Sequence, residues 1–429
     1  MPSSTRYIEM KNSDIEWVAD IPSHWNIKTL NQLVLQVKNK NSNLKEKNLL
    51  SLSYGKIKRK DINSNDGLLP ASFDGYNIIE AGDIVLRLTD LQNDHTSLRV
   101  GLATERGIIT SAYITLRPFD VRQSKYLYYL LHTFDIKKGF YGMGAGVRQG
   151  LNYGEVKELR IALPFQDELD AIVSFLDEQC TKIDEVIAEM KASINDYKQW
   201  KTSVIFEAVT KGIVSNAEMK DSGIEWVGKI PAKWDVTRIK LYYRIISGNG
   251  FSLDLQGNVS GDLPFCKASD ISASGGRIDK AANYVSFDTA KKNKFNIIPK
   301  DSVAFAKIGE AMKKNNRALC LVPCCLDNNC QALVPCNMDS MYSYYLLLCI
   351  DMSWFDNAGT IPCINNVKLL NCNFARPSIC EQQHIADYIQ HKCSKIDSVI
   401  STKELLVDAL GAYKQSLIYE VVTGKRKVV

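Results

Sequence analysis

The chain has 429 residues, of which 45% are hydrophobic and 24% charged, and its net charge is +5. These proportions are ordinary for a globular protein, but the length is too great for one hydrophobic core and predicts two to four domains. No run approaches the ~20 apolar residues of a membrane span and the N-terminus has no signal-peptide core, so we expect a cytoplasmic protein.

A short tryptophan arm comes first, at Met10–Trp25, and recurs at Met219–Trp234. Both copies contain Ile-Glu-Trp-Val, then Ile-Pro, then a final tryptophan. We interpret each as an arm that its two tryptophans pin onto a domain surface. Tryptophans that stack on nucleic-acid bases are the alternative, and the fixed Ile-Pro pairing favours packing.

A region of mixed character follows each arm, at residues 27–162 and 236–375, and the two regions hardly resemble each other. Each has short β-rich runs and one tyrosine-rich helical stretch. The predicted strands are Asp83–Leu88, Tyr113–Leu116, Ser302–Ala306 and Ala318–Val322, and the predicted helices are Tyr126–Leu131 and Tyr342–Leu348. A shared scaffold with diverged domains suits a protein that reads two different things.

Basic and amide side chains in these two regions are candidate DNA contacts, because arginine or lysine pairs with guanine and asparagine with adenine. Lysine-rich runs are more often solvated loops. The candidates are Lys56, Lys58, Arg59, Lys60, Arg87, Arg99, Arg148, Lys267, Lys307, Lys313, Lys314, Asn315, Asn316 and Arg317. Arg148 belongs to a glycine-rich loop, Tyr141–Gly150, that lacks the phosphate-binding GK[ST] ending and is interpreted as flexible.

Two long amphipathic helices are predicted at residues 163–212 and 376–424. No proline or glycine falls between Phe165 and Lys211, and apolar residues recur in steps of three and four, as in a coiled coil. The second segment repeats the first 213 positions later. The predicted seam is Ile172, Leu176, Ile183, Val186, Met190, Tyr197, Val204, Ile385, Ile389, Ile396, Val399, Leu406, Leu410 and Leu417. Two such helices in one chain most simply pack antiparallel.

Signals for catalysis are missing from the sequence. It has no [DN]-P-P-[YF] of an amino-methyltransferase, and no GxxxxGK[ST], HExxH or GxSxG. Eleven of the twelve cysteines follow residue 260. Residues 320–336 hold five of them without a paired CxxC, so small buried thiols are favoured over a zinc site.

The duplicated arm, the P-x-x-x-E-Q start of the second helix (Pro377, Glu381, Gln382) and its SLIYEVVTG ending resemble the specificity (S) subunit of type I restriction-modification enzymes. The resemblance covers both halves of the chain. It departs in the first copy, where Gln166–Leu169 replaces a clean E-Q and Lys211-Gly212 replaces Gly424-Lys425.

This resemblance implies an α+β fold with two mixed α/β target recognition domains, separated by two long helices packed as an antiparallel coiled coil with internal pseudo-two-fold repeat. The implied segments are 1–162, 163–212, 213–375 and 376–429. Each recognition domain would read one half of a bipartite, asymmetric double-stranded DNA target.

Catalysis would belong to partners. Two modification subunits would methylate adenine with S-adenosylmethionine, and restriction subunits would cut DNA with ATP and Mg²⁺. The chain itself would hold no cofactor or metal. A freestanding DNA-binding regulator on the same scaffold is the alternative, and a methyltransferase fused to its own recognition domain is disfavoured by the missing motifs.

Overall fold

The chain forms two compact units in the computed structural model, which describes residues 6–42, 44–62, 70, 72–143, 150–357 and 359–428. The first unit is Met1–Lys191 with Leu405–Val429, and the second is Ala192–Glu404. The division falls inside both long helices, so each unit contains a part of each. The four segments predicted from sequence treat each helix as a segment of its own.

The first unit is built mainly from short strands and one medium helix. Its strands are β1 (Met10–Asn12), β2 (Asp20–Pro22), β3 (Asn26–Thr29), β4 (Val34–Gln36), β5 (Leu50–Ser53), β6 (Lys56–Arg59), β7 (Asn77–Ile79), β8 (Ile84–Leu86), β9 (Val100–Leu102), β10 (Gly107–Ile109), β11 (Ile114–Pro118) and β12 (Arg160–Leu163). Its helices are α1 (Ser124–Ile136), α2 (Tyr153–Val156) and the first part of α3 (Gln166–Lys211), with 3₁₀ turns at Leu30–Gln32, Val121–Gln123 and Gly139–Gly142.

The second unit continues in the same style. Its strands are β13 (Met219–Asp221), β14 (Lys229–Pro231), β15 (Asp235–Arg238), β16 (Tyr243–Ser247), β17 (Leu263–Cys266), β18 (Arg277–Ile278), β19 (Asn283–Val285), β20 (Ile297–Ile298), β21 (Val303–Ala306), β22 (Arg317–Cys320), β23 (Cys324–Leu326), β24 (Cys330–Pro335) and β25 (Asn373–Arg376). Its helices are α4 (Ile239–Tyr242), α5 (Ala268–Ala273), α6 (Phe287–Lys292), α7 (Glu310–Lys313), α8 (Ser340–Cys349) and α9 (Asn366–Leu370), with 3₁₀ turns at Leu253–Leu255 and Met352–Phe355. It also contains the rest of α3 and most of α10 (Ile379–Val422), whose last part belongs to the first unit.

The same antiparallel sheet lies at the centre of each unit. Its strand order is β4-β11-β8-β9 in the first unit and β16-β24-β21-β22 in the second, where β18 adds a parallel edge strand. The central strand follows a residue with positive φ in both cases, Gly82 (93°) and Asp301 (67°). The two regions therefore contain sheets with the same strand order, although their sequences hardly resemble each other. The predicted strands and both tyrosine-rich helices are confirmed to within a few residues.

A buried tyrosine in each tyrosine-rich helix joins it to the end of a long helix. The Tyr126 hydroxyl lies 3.1 Å from the carbonyl oxygen of Val422, and the Tyr342 hydroxyl lies 3.3 Å from that of Val209. Each hydroxyl is also within 3.5 Å of an alanine carbonyl at the end of the unit's last strand. Both side chains are fully buried, so this contact orients α1 and α8 in the same way.

The tryptophan arms are packed into the protein. Trp25 and Trp234 are at most 1% exposed, and their indole Nε1 atoms donate to Glu168 (3.1 Å) and Glu381 (2.9 Å), near the starts of α3 and α10. The packing interpretation of these two tryptophans is confirmed. Glu168 thus has the role of Glu381, and the first copy's departure from the E-Q pattern is confined to the next position.

That next position is Gln382 in one copy and Leu169 in the other. Gln382 is buried, donates to the carbonyl of Pro377 (2.9 Å) and accepts from the backbone N–H of Asp339 (2.9 Å) at the start of α8. Leu169 is also fully buried, in the apolar core of the first unit. Gln382 therefore connects the start of α10 to the start of α8 by hydrogen bonds, whereas Leu169 makes only apolar contacts at the equivalent position of the first unit.

A glycine ends each long helix in the left-handed conformation, Gly212 at φ 72° and Gly424 at φ 70°. This conformation strains other residues. A Cβ on Gly212 would lie 3.2 Å from the Trp234 ring, and one on Gly424 would overlap Pro22. Gly212 lies one position later in the repeat than Gly424. Each glycine nevertheless leaves room for an arm to pack against the end of the helix.

Helices α3 and α10 have 46 and 44 residues, which gives about 69 and 66 Å at 1.5 Å per residue. In the second unit Lys201 pairs with Asp397 (2.7 Å) and Lys198 with Glu404 (3.4 Å). Because one number falls as the other rises, the helices run antiparallel there, as predicted.

Most predicted seam residues are buried or half-buried. These are Ile172, Leu176, Ile183, Met190, Tyr197, Val204, Ile385, Ile389, Ile396, Leu410 and Leu417. Three are wrong as seam residues, since Val186, Val399 and Leu406 are 41, 37 and 45% exposed. Their C-terminal neighbours take the buried or half-buried position. Adjacent residues on a helix differ in direction by about 100°, so only one of two neighbouring apolar side chains can face the partner helix.

The cysteines of the second unit contribute to an apolar core. Cys266, Cys320, Cys324 and Cys330 are fully buried, and the Cys320 and Cys324 Sγ atoms lie 3.7 Å apart. Burial raises the pKa of the Cys330 thiol to about 12. Among the described residues no group of three or more His, Cys, Asp or Glu side chains has a metal-binding arrangement. The same residues include no helix long and apolar enough to cross a membrane.

Candidate nucleic-acid interface

A basic hairpin is the clearest candidate surface of the first unit. Strands β5 and β6 are joined by Tyr54 and Gly55, with φ 48° and 75°, which is the type I′ turn that favours tight hairpins. Lys56 and Lys58 point to the same face because side chains alternate along a strand. Both are exposed, and within the described part of the chain neither has an ion pair or side-chain hydrogen bond. Their ammonium groups are free to meet phosphate.

The next two candidates on the hairpin are less available. Arg59 forms an ion pair with Glu105, with Nε 2.8 Å from both carboxylate oxygens. This contact raises the pKa of Arg59 and lowers the pKa of Glu105. Lys60 is half-buried just after the strand. We therefore assign the unpaired positive charge of this hairpin to Lys56 and Lys58.

Arg99 is wrong as a candidate base reader, because its side chain is fully buried. Its guanidinium donates to the carbonyl of Thr89 (2.7 Å), lies 3.3 Å from the Tyr141 hydroxyl and 3.7 Å from the Asp94 carboxylate. Hydrogen bonds from Ser97 hold the pKa of Asp94 well below its usual range. Arg99 therefore holds the loop after β8 in place from inside.

Arg87 lies at the edge of the same loop. Its guanidinium is 3.7 Å from the Asp94 carboxylate, and its side chain is 31% exposed. It is partly neutralised but reaches solvent, so it remains a candidate. Arg148, with positions 144–149 of the glycine-rich loop, lies outside the described residues.

Arg317 is the second arginine that the structure contradicts as a base reader. It is buried, donates to the Asn315 amide oxygen (2.6 Å) and the Ile350 carbonyl (3.1 Å), and lies over the Phe305 ring. Burial lowers the pKa of Arg317 to about 9. The Asn315 amide oxygen also accepts from the backbone N–H of Met352 (3.0 Å), so Asn315 is engaged in contacts within the fold. Buried cations with several carbonyl partners stabilise the fold rather than contact DNA.

The other candidates of the second unit divide into paired and free side chains. Lys267 donates to Gln256 (2.6 Å), Lys313 pairs with Glu310 (2.7 Å) and Asn316 donates to Ser272 (3.0 Å); by contrast, the part of the chain that the structure describes shows no side-chain partner for Lys307 or Lys314. The half-exposed Lys307 directly follows the central strand β21, so its position is set by the sheet.

Three further exposed lysines are not among the candidate DNA contacts predicted from the sequence. Lys291, Lys292 and Lys294 lie at and just beyond the end of α6, are exposed, and have no acidic partner among the described side chains. The sequence Lys-Lys-Asn-Lys is as basic as the candidate runs at 56–60 and 313–317, so it could have been predicted in the same way. Sequence alone gives no way to rank one such run above another, since exposure and pairing depend on the fold.

Comparison with known proteins identifies the kind of domain. The family model of the "Type I restriction modification DNA specificity domain" matches residues 231–403. The second half of the chain is thus similar to a type I DNA specificity domain. The resemblance drawn from the repeats is confirmed, and with it the DNA-recognition role.

Solved structures extend the similarity in fold to nearly the whole chain. One belongs to work on the "structural basis underlying complex assembly and conformational transition of the type I R-M system", with TM-score 0.68, 15% identity, and coverage of 94% of this chain and 98% of that one. Others are the HsdS subunit from Thermoanaerobacter tengcongensis (TM-score 0.48, 14% identity, 94% and 98% coverage) and the type I S subunit from M. genitalium (TM-score 0.39, 14% identity, 97% and 99% coverage). The first match supports the fold of both halves around the type I specificity domain.

Proposed function

We propose that this chain is the sequence-recognition subunit of a type I restriction-modification system, and that each unit reads one half of a bipartite, asymmetric double-stranded DNA target. One observation carries the proposal. The sheet, the buried tyrosine, the tryptophan–glutamate contact and the final glycine recur in both units, while the exposed basic side chains do not.

The divergence lies where DNA contacts are expected. The first unit presents Lys56 and Lys58 on the β5–β6 hairpin, whereas the second presents Lys307 and Lys314 near β21 and α7. Phosphate contacts position a protein on DNA, and base contacts select the sequence. Two similar frames with different exposed side chains suit two different half-sites.

Catalysis is assigned to partners in this proposal. Modification subunits would transfer a methyl group from S-adenosylmethionine to adenine, and restriction subunits would use ATP and Mg²⁺ to cut unmethylated DNA. The chain's own contribution is binding and orientation. The proposal is supported by the missing catalytic motifs and by the resemblance that the repeats carry.

A reconstitution experiment tests this assignment. The chain is purified alone and together with the modification subunit of its host, and adenine methylation is mapped on genomic DNA. We expect methylation at one bipartite sequence only when both proteins are present. Methylation by the isolated chain would contradict the division of labour, and specific DNA binding without any association with the methyltransferase would favour a freestanding regulator.

A further inference from the structure

Two equivalent aromatic rings near the ends of the long helices have different surroundings. Tyr419 of α10 and Phe206 of α3 are 213 positions apart in the repeat, and both are half-buried. Each packs against the first tryptophan of an arm, with ring centroids 6.5 Å apart for Trp17 and Tyr419 and 6.5 Å for Trp226 and Phe206. The duplicated frame therefore builds the same aromatic contact twice.

The first unit covers its ring with its own chain. Helix α1 extends for 13 residues, and Lys137 follows at its end with the ammonium 4.7 Å from the centroid of the Tyr419 ring. A cation over an aromatic face is attracted by the ring quadrupole. In the first unit, therefore, a lysine ammonium of the same chain occupies the position over this aromatic ring.

The second unit leaves the equivalent position open. Helix α8 has only 10 residues and ends at Cys349, and a 3₁₀ turn follows in which Trp354 packs on Trp226 at 5.8 Å. A cleft of about 480 Å³ remains, lined by Ile205, Phe206, Glu207, Lys211, Leu348 and Cys349 among others. Its floor is apolar and aromatic, and its rim is charged.

The rim carries one carboxylate and one ammonium group, those of Glu207 and Lys211. Glu207 is exposed and forms no ion pair or side-chain hydrogen bond in the part of the chain that the structure describes, whereas its counterpart Glu420 accepts from Ser416 (3.1 Å). Lys and Arg side chains bury their methylene stems against apolar groups while the charged end stays at the surface. Such a side chain would lay its stem on Leu348 and bring its charge to Phe206 and Glu207.

We propose that this cleft receives a lysine or arginine side chain of the modification subunit. The inference rests on the proposed function, which supplies the partner, and adds a docking contact that the second unit makes and the first does not. The equivalent position of the first unit is already occupied by Lys137.

Charge reversal at the rim tests the inference in the complex. Glu207→Lys in the full chain should weaken binding of the purified modification subunit roughly tenfold or more, because a close charge pair becomes a repulsion. Glu420→Lys, at the equivalent position of the first unit, is the matched control and should leave the affinity nearly unchanged. Both sites lie on the long helices.

A photo-crosslinking residue identifies the occupant. It is placed at Thr202, an exposed residue lining the cleft, and at Gln415, the exposed equivalent 213 positions later. We expect position 202 to crosslink beside a lysine or arginine of the modification subunit, and reversal of that partner charge to restore binding of Glu207→Lys.

Three results separate the possible failures. Unchanged affinity of Glu207→Lys overturns the inference, as does a crosslink at position 202 to a segment without a basic residue. Equal weakening by Glu207→Lys and Glu420→Lys overturns the difference between the units. Failure of the unaltered chain to bind the modification subunit overturns the proposed function itself, and this inference with it.

Discussion

Asp184 and Lys414 form an ion pair at 2.7 Å, and the two residues 213 positions away from them, Asp397 and Lys201, form another at 2.7 Å. The first pair lies within the first unit and the second within the second. The helix that supplies the lysine in one pair supplies the aspartate in the other. The sequence duplication is thus reproduced as an exchange of roles between the two helices.

These ion pairs should specify helix register more than they stabilise the fold. In the second-unit pair the Lys201 and Asp397 side chains are 32 and 53% exposed, and exposed pairs contribute only about 0–1 kcal/mol. We expect Lys201→Asp to lower the free energy of unfolding by up to about 1 kcal/mol, because two carboxylates then face each other. Adding Asp397→Lys should recover most of this loss. Urea denaturation measures both, and a double variant no better than the single would contradict the pairing.

The tryptophan–glutamate contact should contribute more, because it is shielded from water. Glu381→Ala leaves the buried Trp234 N–H without its acceptor and should cost roughly 1–3 kcal/mol. Glu168→Ala should cost more than Glu381→Ala, since Glu168 contacts Tyr7 (2.5 Å) and His24 (2.8 Å) as well as the arm tryptophan.

Chemical denaturation of the two alanine variants tests this order. The glutamine variants at both positions retain an acceptor and serve as controls with smaller losses. Equal losses for the two alanine variants would show that the additional partners of Glu168 do not stabilise the first unit.

Much of this frame was predictable from sequence because it is duplicated. A repeat compares the chain with itself, so matching tryptophans, the Ile-Pro pairs and the two helix endings stood out without other information. The shared sheet was not predicted, since β8 and β21 agree in burial and not in residue identity. The seam was one position off at Val186 because the neighbouring Ile187 is equally apolar, and only the partner helix decides between them.

Site residues were the least predictable part. Arg99, a single basic residue next to a predicted strand, and Lys56, in a run of basic residues, are both candidates by residue type alone. In the fold one is fully buried among carbonyl groups and the other is exposed. That difference depends on contacts distant along the chain, which residue type does not encode.

This difference predicts opposite phenotypes. Arg99→Ala should lower the free energy of unfolding, because several carbonyl groups lose their donor. Lys56→Ala and Lys58→Ala should leave stability within about 0.5 kcal/mol and weaken binding to all DNA sequences alike. Each should also reduce the salt dependence of log K by about 0.9 per lost phosphate contact.

Fluorescence anisotropy at several salt concentrations, with thermal denaturation alongside, separates these effects. Lys307→Ala tests the second unit in the same way, because its side chain also lacks a partner in the described residues. A lysine variant with unchanged affinity and salt slope would remove that residue from the interface.

A half-buried histidine should make the first unit sensitive to acid. Burial, with repulsion from Lys414, lowers the pKa of His132 from 6.5 to about 4. The folded state then binds fewer protons than the unfolded state between these values, so this group's contribution to stability falls as the pH drops from about 6.5 toward 4. The loss reaches about 3 kcal/mol at pH 4.

His132→Leu tests this pH effect, since Leu348 follows Tyr342 at the same distance along the chain as His132 follows Tyr126. The variant should be less sensitive to pH than the unaltered chain between about pH 6.5 and 4. Stability is measured by denaturation at each pH. Identical pH profiles would show that His132 titrates normally and is not held neutral by burial.

The independence of the two units is the central claim, and exchange of one recognition region tests it most directly. Residues 27–162 are replaced by the corresponding region of another type I specificity subunit. The exchange carries nearly all of β3 and β12, which pair antiparallel at the base of the first unit, so the frame should be preserved. With the modification subunit present, methylated adenines are mapped across a genome. We expect one half of the bipartite target to change to that of the donor protein while the other half, read by residues 236–375, stays the same. A target in which both halves change, or in which neither does, would contradict the account.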